Sequence, residues 1–435
     1  MLNTPVAAGL LLCFALAFAP FAGAQSSAIL YSQSDGPWNG VNRWNTAPNG
    51  SGTFVQTPNN PTTSIVVQPG HDITITISGY SLYNLTVQAG ASVRVGAGSL
   101  RYLQVYGDQA LIHGALGGGS DGLGLDFNGP ATTLAGSGTV QLSRLRKNCS
   151  DAASAAVTDL TVAINVALSW SSTASLFCDG NFNNSSPCTF NLTLNGGYTI
   201  TAAGDVSIDG INGLSNNTWQ DGTFTIHGTL DVADDLFLNT QNPTGGDITY
   251  HIGSGGKIVV RSQVLGNGGA GGSAMANLVI ENNGVLELRG GGSVCSNISA
   301  GRNTFTFNQG AVVWYNNSAA QTIEPLLPYD VLRAGGGGLK SLAGETTVAG
   351  QLWLDGSSIQ LNDYNLLLGI ASLTGANASH HLKTNSIGML WRNVGITPTA
   401  FPVGAGAYNP ATLENTGSAD GFGVRVFDNV LSDGE

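Results

Sequence analysis

Apolar and polar residues alternate along GETTVAGQLWLDGSSIQLNDYNLLLG (344–369), and Gly, Asp, Ser or Asn interrupts the alternation every few residues. A period of two puts every second side chain on one face of a strand, and no helical period fits. Runs of the same kind fill the chain beyond its N-terminus, among them SIVVQ (64–68), DITITIS (72–78), DLTVAINVALSW (159–170) and NLTLNGGYTITAAGDVSIDG (191–210). Each is β-branched or alternating and is bounded by turn residues, the signature of short strands. Only RKNCSDAASAAVT (146–158) reads equally as a loop or a short helix.

The strands carry a repeat, Gly-x-aliphatic-x-apolar. It occurs at Gly138-Thr-Val140-Gln-Leu142, Gly228-Thr-Leu230-Asp-Val232, Gly256-Lys-Ile258-Val-Val260, Gly284-Val-Leu286-Glu-Leu288, Gly310-Ala-Val312-Val-Trp314 and Gly350-Gln-Leu352-Trp-Leu354. The copies at 228, 256, 284 and 310 follow one another at 26–28 residues, within the range that marks solenoids. Gly is expected to supply a positive-φ turn before each strand, with the two apolar positions facing inward. The outward row then reads Gln141, Asp231, Val259, Glu287, Val313, Trp353. A unit of two or three short strands cannot bury its own apolar face, and stacking such units in register solves this. The pattern therefore predicts an all-β chain, a parallel β-helix, in preference to a string of β-sandwich modules. The helix is expected as a single-chain, right-handed solenoid over 25–385, with the start of a C-terminal β-sandwich-like module at 386–435.

Composition narrows the functional classes. Charged residues make up 10% of the 435, 42% are hydrophobic, and Gly is present 62 times, so the surface is solvated by amides and hydroxyls. The formal net charge of -12, with scattered lysines, argues against nucleic acid as a partner. VAAGLLLCFALAFAPFAGA (6–24) reads as an export signal, with Ala22-Gly23-Ala24 as the cleavage site and Gln25 as the mature start. No transmembrane segment is expected in the mature chain. Four cysteines remain after cleavage: Cys149, Cys178, Cys188 and Cys295. Export permits disulfides, and Cys178 with Cys188, bracketing a turn-rich loop, is the pair to expect first, contributing roughly 2–3 kcal/mol. Cys149 and Cys295 are what is left.

Three segments resemble one family. GAVVWYNNSAAQTIEPLLPYDVLRAGGGGLKSLAGETTVAGQLWLDGSSIQLNDYNLLLG (310–369) resembles a rung pattern of large bacterial surface proteins exported by type IX secretion. FPVGAGAYNPATLENTGSADGFGVRVFD (401–428) resembles the module that commonly follows it, and DGPWNGVNRWNT (35–46) resembles the first rung of the same proteins. There a Trp-x5-Trp pair, here Trp38 and Trp44, caps the coil. The resemblance implies a secreted, extracellular or outer-surface bacterial protein whose chain continues past Glu435 toward a sorting domain. Its motifs are structural and speak of architecture rather than chemistry.

Candidate chemistry is sparse. Asp205, Asp209 and Asp231 alternate with apolar residues and are expected outward, with Asp209 and Asp231 about one rung apart. Paired carboxylates at such spacing would serve glycoside hydrolysis, or bind Ca²⁺ for a polysaccharide lyase. The bland reading is that Asp is ordinary at strand ends and turns. GGGSDGLGLD (117–126) is read as a glycine-rich loop. His380-His381 is read as a surface loop whose rings point to opposite faces, and no metal site is expected there. Trp314, Tyr315 and Trp353 are the candidates for stacking on sugar rings. These readings lead to a structural or adhesive protein that contacts extracellular polysaccharide or matrix protein, without catalysis in this segment. The alternatives are a carbohydrate-active enzyme and a passive spacer for a domain beyond 435.

Overall fold

The computed structural model describes residues 28–427 except 97–99, 119–121, 130, 149–158, 166–167, 171–175, 182–188, 208–221, 239–246, 267–274, 297–302, 327 and 385. Among the described residues every element is a β-strand. Leu85–Val87, Ser92–Val95 and Arg101–Val105 make one turn. Each pairs in parallel with its equivalent in the turn before (Thr63–Val67, Asp72–Ile75, Tyr80–Leu82) and the turn after (Gln109–Ile112, Ala115–Gly117, Leu123–Phe127). The chain is thus a parallel β-solenoid with three sheets, called first, second and third in the order the chain visits them. The strand Leu123–Phe127 of the third sheet takes in the last residues of the glycine-rich stretch 117–126 read as a loop.

The core is a set of ladders running along the coil. On the second sheet, Ile200, Leu230, Ile258, Leu286, Val313, Leu332 and Leu352 occupy one inward column. Each is at most 1% exposed. A column of aliphatic side chains about 4.8 Å apart buries apolar area at every rung, which no single turn could do.

The glycine repeat marks this sheet correctly, but for a different reason than the turn chemistry predicted. The residue at positive φ is the one before the repeat glycine: Gly255 (φ 75°) and Asn283 (φ 61°), with Gly310 (φ 84°) at the equivalent place. The repeat glycines themselves are required by space. A Cβ on Gly256 would lie 1.9 Å from the Ile226 carbonyl oxygen, and one on Gly228 2.2 Å from that of Tyr198. In the following turn Ala311 takes the repeat-glycine place, donating its N–H to Asn308 as Gly284 donates to Glu281. The strand register there is one residue later than the motif implied. Val313 pairs with Leu286 and faces inward, correcting its place in the expected outward row, and Trp314 faces out.

Trp38 and Trp44 close the N-terminal end. Both are fully buried, with ring centroids 4.8 Å apart, and Trp38 stacks on Tyr80 at 5.4 Å. The Trp44 indole donates to the Trp38 carbonyl (2.7 Å), and the Trp38 indole to that of Pro58 (3.0 Å). Trp44–Asn45 runs antiparallel to Ala28–Ser32 and Phe54–Val55 runs antiparallel to Trp44–Asn45, so the first turn is covered by pairing strands.

Toward the other end the coil narrows. One turn spans 30 residues from Ile200 to Leu230, and 19 from Val313 to Leu332. The first sheet ends with Asn303–Phe307, whose pairing partner among the described residues is Ala276–Ile280. Parallel stacking continues past 385, through Leu390–Val394 and Val403–Gly404. Where the β-sandwich-like module was expected, Asp420–Val424 and Ala411–Leu413 add antiparallel pairs over the last turns.

Candidate functional site

The outward column of the second sheet gathers three of the candidate residues, Asp231, Trp314 and Trp353. In successive rungs it reads Thr201, Asp231, Val259, Glu287, Trp314, Arg333, Trp353 and Thr374. The Arg333 guanidinium lies between two indoles, 3.8 Å from the Trp314 centroid and 4.0 Å from that of Trp353. Asp355 holds it from the side at 2.7 Å. Lys257 also approaches the Trp314 ring, at 5.3 Å. Trp314 therefore stacks on cations of its own chain and is only partly exposed. Trp353, at 37% exposure, is the ring of the three with open surface. Tyr315 is fully buried and its hydroxyl meets that of Tyr329 at 3.1 Å, so it offers no ring face to an outside ligand.

Glu287 lies beneath this strip with its side chain fully buried. Lys257, Arg289 and Asn316 all reach it. Burial pushes its carboxyl up, but these three bonds outweigh burial and hold it below the ordinary range. It is a fixed anion that organises two cations.

The three aspartates singled out from the sequence do not converge. Asp231 is bound through both oxygens by Arg261 (3.0 and 2.8 Å). Its rung neighbours are Thr201 and Val259, and not Asp209, which lies outside the described residues. Asp205 sits half-buried at a corner, where its carboxylate accepts the Asp235 N–H at 3.2 Å. Asp235 in turn accepts the Gln263 N–H at 2.9 Å. Each of these aspartates ties its turn to the next one. With Asp234 they bring carboxylate oxygens within 4.8 Å of one another, a donor set suited to a hard cation such as Ca²⁺. Burial, helped by the Asp234 and Asp235 charges and opposed by the backbone bond, holds the Asp205 carboxyl above its ordinary value.

The first sheet presents a different surface. One outward column reads Asn191, Thr223, Thr249, Asn277, Thr304. The column beside it reads Thr193, Thr225, His251, Val279, Thr306. The first column carries no ionisable group, and Asn277 donates across a rung to the Thr249 hydroxyl at 3.3 Å. These rows were not singled out from the sequence. Their members stand about 26–32 residues apart, and only the strand register shows that they form columns.

Other expectations resolve more simply. His381 is 3% exposed and packs against Tyr408 at 5.5 Å, correcting its reading as part of a surface loop. Burial lowers its tendency to take a proton. Cys295 is buried with no disulfide partner among the described residues. The Cys178–Cys188 pairing cannot be placed, because Cys188, like Cys149, lies outside the described residues and so does the Cys178 side chain. Among the described residues no helix is long and apolar enough to cross a membrane. No protein-family model, curated protein or solved structure matches the chain.

Proposed function

We propose that this chain forms the shaft of a secreted or cell-surface bacterial protein, structural and adhesive in role. In this reading it touches extracellular polysaccharide or matrix protein with the polar sides of the solenoid and performs no catalysis in this segment. The observation that carries the reading is how the outer-face carboxylates are used. Asp231 is saturated by Arg261, Glu287 is sealed under two cations, and Asp205 and Asp235 hold backbone N–H groups of the next turn. General acid–base work on a glycosidic bond needs a carboxyl free to exchange a proton at the reacting atom. What remains toward solvent is repeated and largely uncharged, which suits many weak contacts acting together. The apolar run before Gln25 and the resemblance to surface proteins support export.

One observation favours a second reading, a Ca²⁺-assisted polysaccharide lyase or hydrolase: the Asp205, Asp234, Asp235 cluster with its raised Asp205 carboxyl. The two separate in one assay. The chain from Gln25 to Glu435 is incubated with plant, algal and host polysaccharides, with and without Ca²⁺. New reducing ends and unsaturated products are followed, and retention on the same polymers is scored. Retention without turnover is the expected result. Turnover abolished by Asp205→Asn would make this an enzyme. Neither retention nor turnover would leave a passive spacer.

A further inference from the structure

We infer that the binding face of the solenoid is the outer side of the first sheet between Asn191 and Thr306, and that its partner is an uncharged polysaccharide lying along the coil axis. This rests on the adhesive reading above and names its site and ligand class. The two columns described there place a hydroxyl or amide at nearly every rung, about 4.8 Å apart along the axis. Two side chains depart from this, His251 and Val279. His251 is bound to Glu281 at 2.9 Å, and Glu281 also accepts from Asn308 at 2.7 Å, so the charge beside the columns is tied down.

Strand propensity alone would put threonine on every outward face. It does not explain the segregation of charge. The second sheet carries Asp72, Arg94, Asp231, Glu287 and Arg333 outward, whereas the first column here carries none. On the second sheet Trp314 is stacked on Arg333 and approached by Lys257, and Arg333 also lies over the Trp353 ring, which keeps some open surface. A partner for the first sheet must offer repeated hydrogen-bonding groups and no charge. The chain's net charge of -12 repels an acidic polymer and leaves a neutral one unaffected. A polysaccharide provides hydroxyls at every sugar, and a face of rungs stacked in register lets successive sugars meet successive rungs, so that weak contacts add.

The strip ends at a physical boundary. Thr304 and Thr306 are exposed on the last strand of the first sheet, and beyond it the coil narrows. Counted back from that boundary, the five rungs from Thr306 to Asn191 span about 20 Å along the axis.

The test uses the chain from Gln25 to Glu435 and insoluble neutral polymers (cellulose, chitin, xylan, mannan) beside polyuronates. The triple variant Thr223→Val, Thr249→Val, Thr304→Val removes three hydroxyls at nearly constant shape in favourable strand positions, with circular dichroism and melting as controls on folding. Thr201→Val with Thr374→Val is the matched change on the second sheet, and Trp353→Ala removes its open ring. The expected result is retention on a neutral polymer, insensitive to salt, weakened at least fivefold by the triple variant and little by the other two. Retention unchanged in the triple variant but lost in Trp353→Ala would overturn this site while keeping the adhesive reading. Retention on polyuronates alone would overturn the ligand class. Retention on no polymer would overturn both readings.

Discussion

Two neighbouring glycines do different work at the same corner. Gly255 provides a left-handed backbone, which Asn283 provides one turn later, whereas Gly256 provides empty space against the Ile226 carbonyl. Gly255→Asn is therefore expected to cost less than about 1 kcal/mol. Gly256→Ala forces the backbone of two turns apart and is expected to cost about 3 kcal/mol or more, in the range of overpacked cores. Chemical denaturation of both variants checks the contrast, and equal costs would refute it. The sequence pattern marked the glycine and could not say which function it served, because φ and contact distance belong to the coil. Lys340 is a second case at this scale. It is fully buried, its ammonium donates to the Asn317 carbonyl at 2.8 Å, and burial lowers its pKa to about 8. Below that value the lysine is charged in both the folded and unfolded chain, and the cost of burying the charge is present in full. Between about 8 and 10.5 the unfolded chain binds more protons, so stability rises with pH across that window. Lys340→Met should raise stability at neutral pH by a few kcal/mol and flatten the rise. Urea unfolding at pH 7 and pH 10 measures both effects.

At the scale of the strand, alternation was enough to assign most faces. It placed Leu230, Ile258, Leu286 and Leu352 inward and Asp231 and Trp353 outward, as found. It failed at 310–315, where Ala311 stands in the glycine place and shifts the strand by one. A one-residue shift exchanges every side chain between faces, so Trp314 faces out where the repeat placed it inward, and Tyr315 is buried. The sequence could not reveal the seam that results, because Lys257, Glu287, Trp314, Arg333 and Trp353 meet across five rungs. Glu287 is its keystone, and it stays ionised when buried because its partners outweigh desolvation. Glu287→Gln leaves Lys257 and Arg289 facing each other without their anion and is expected to cost about 3 kcal/mol at pH 7. The folded-state pKa is lowered, so the stability that Glu287 lends is present above the unfolded value near 4.5 and is lost as pH falls through the folded one. The cost of the substitution should therefore shrink in acid. A cost that is the same at pH 7 and pH 3 would show that the carboxylate charge contributes nothing.

At the scale of the whole molecule, a solenoid has neighbours only above and below each turn, so its stability is a chain of adjacent interfaces and its ends are its weak points. The overall architecture was legible because four consecutive copies of the repeat keep a nearly constant spacing. The rest of the coil hides its period, with turns of 20 residues near Ile73, 30 near Ile200 and 19 after Val313. The N-terminal end is where this matters most. Trp38 and Trp44 bury both rings in the first turn and satisfy both indole N–H groups on backbone carbonyls, so the cap carries apolar area without an unpaired donor. Trp38→Ala removes the ring that stacks on Tyr80 and is expected to cost about 3–5 kcal/mol locally. In a globular core that loss would be shared by the whole domain. In a solenoid it should remain near the end, loosening the turns that hold Ile65, Val67, Ile73 and Ile75 while Leu278 and Ile280, many turns away, keep their protection. Hydrogen exchange resolved by peptide distinguishes the two. Protection lost only in the first turns confirms that coupling passes from turn to turn, while a uniform loss along the chain would mean that the coil unfolds as one cooperative body.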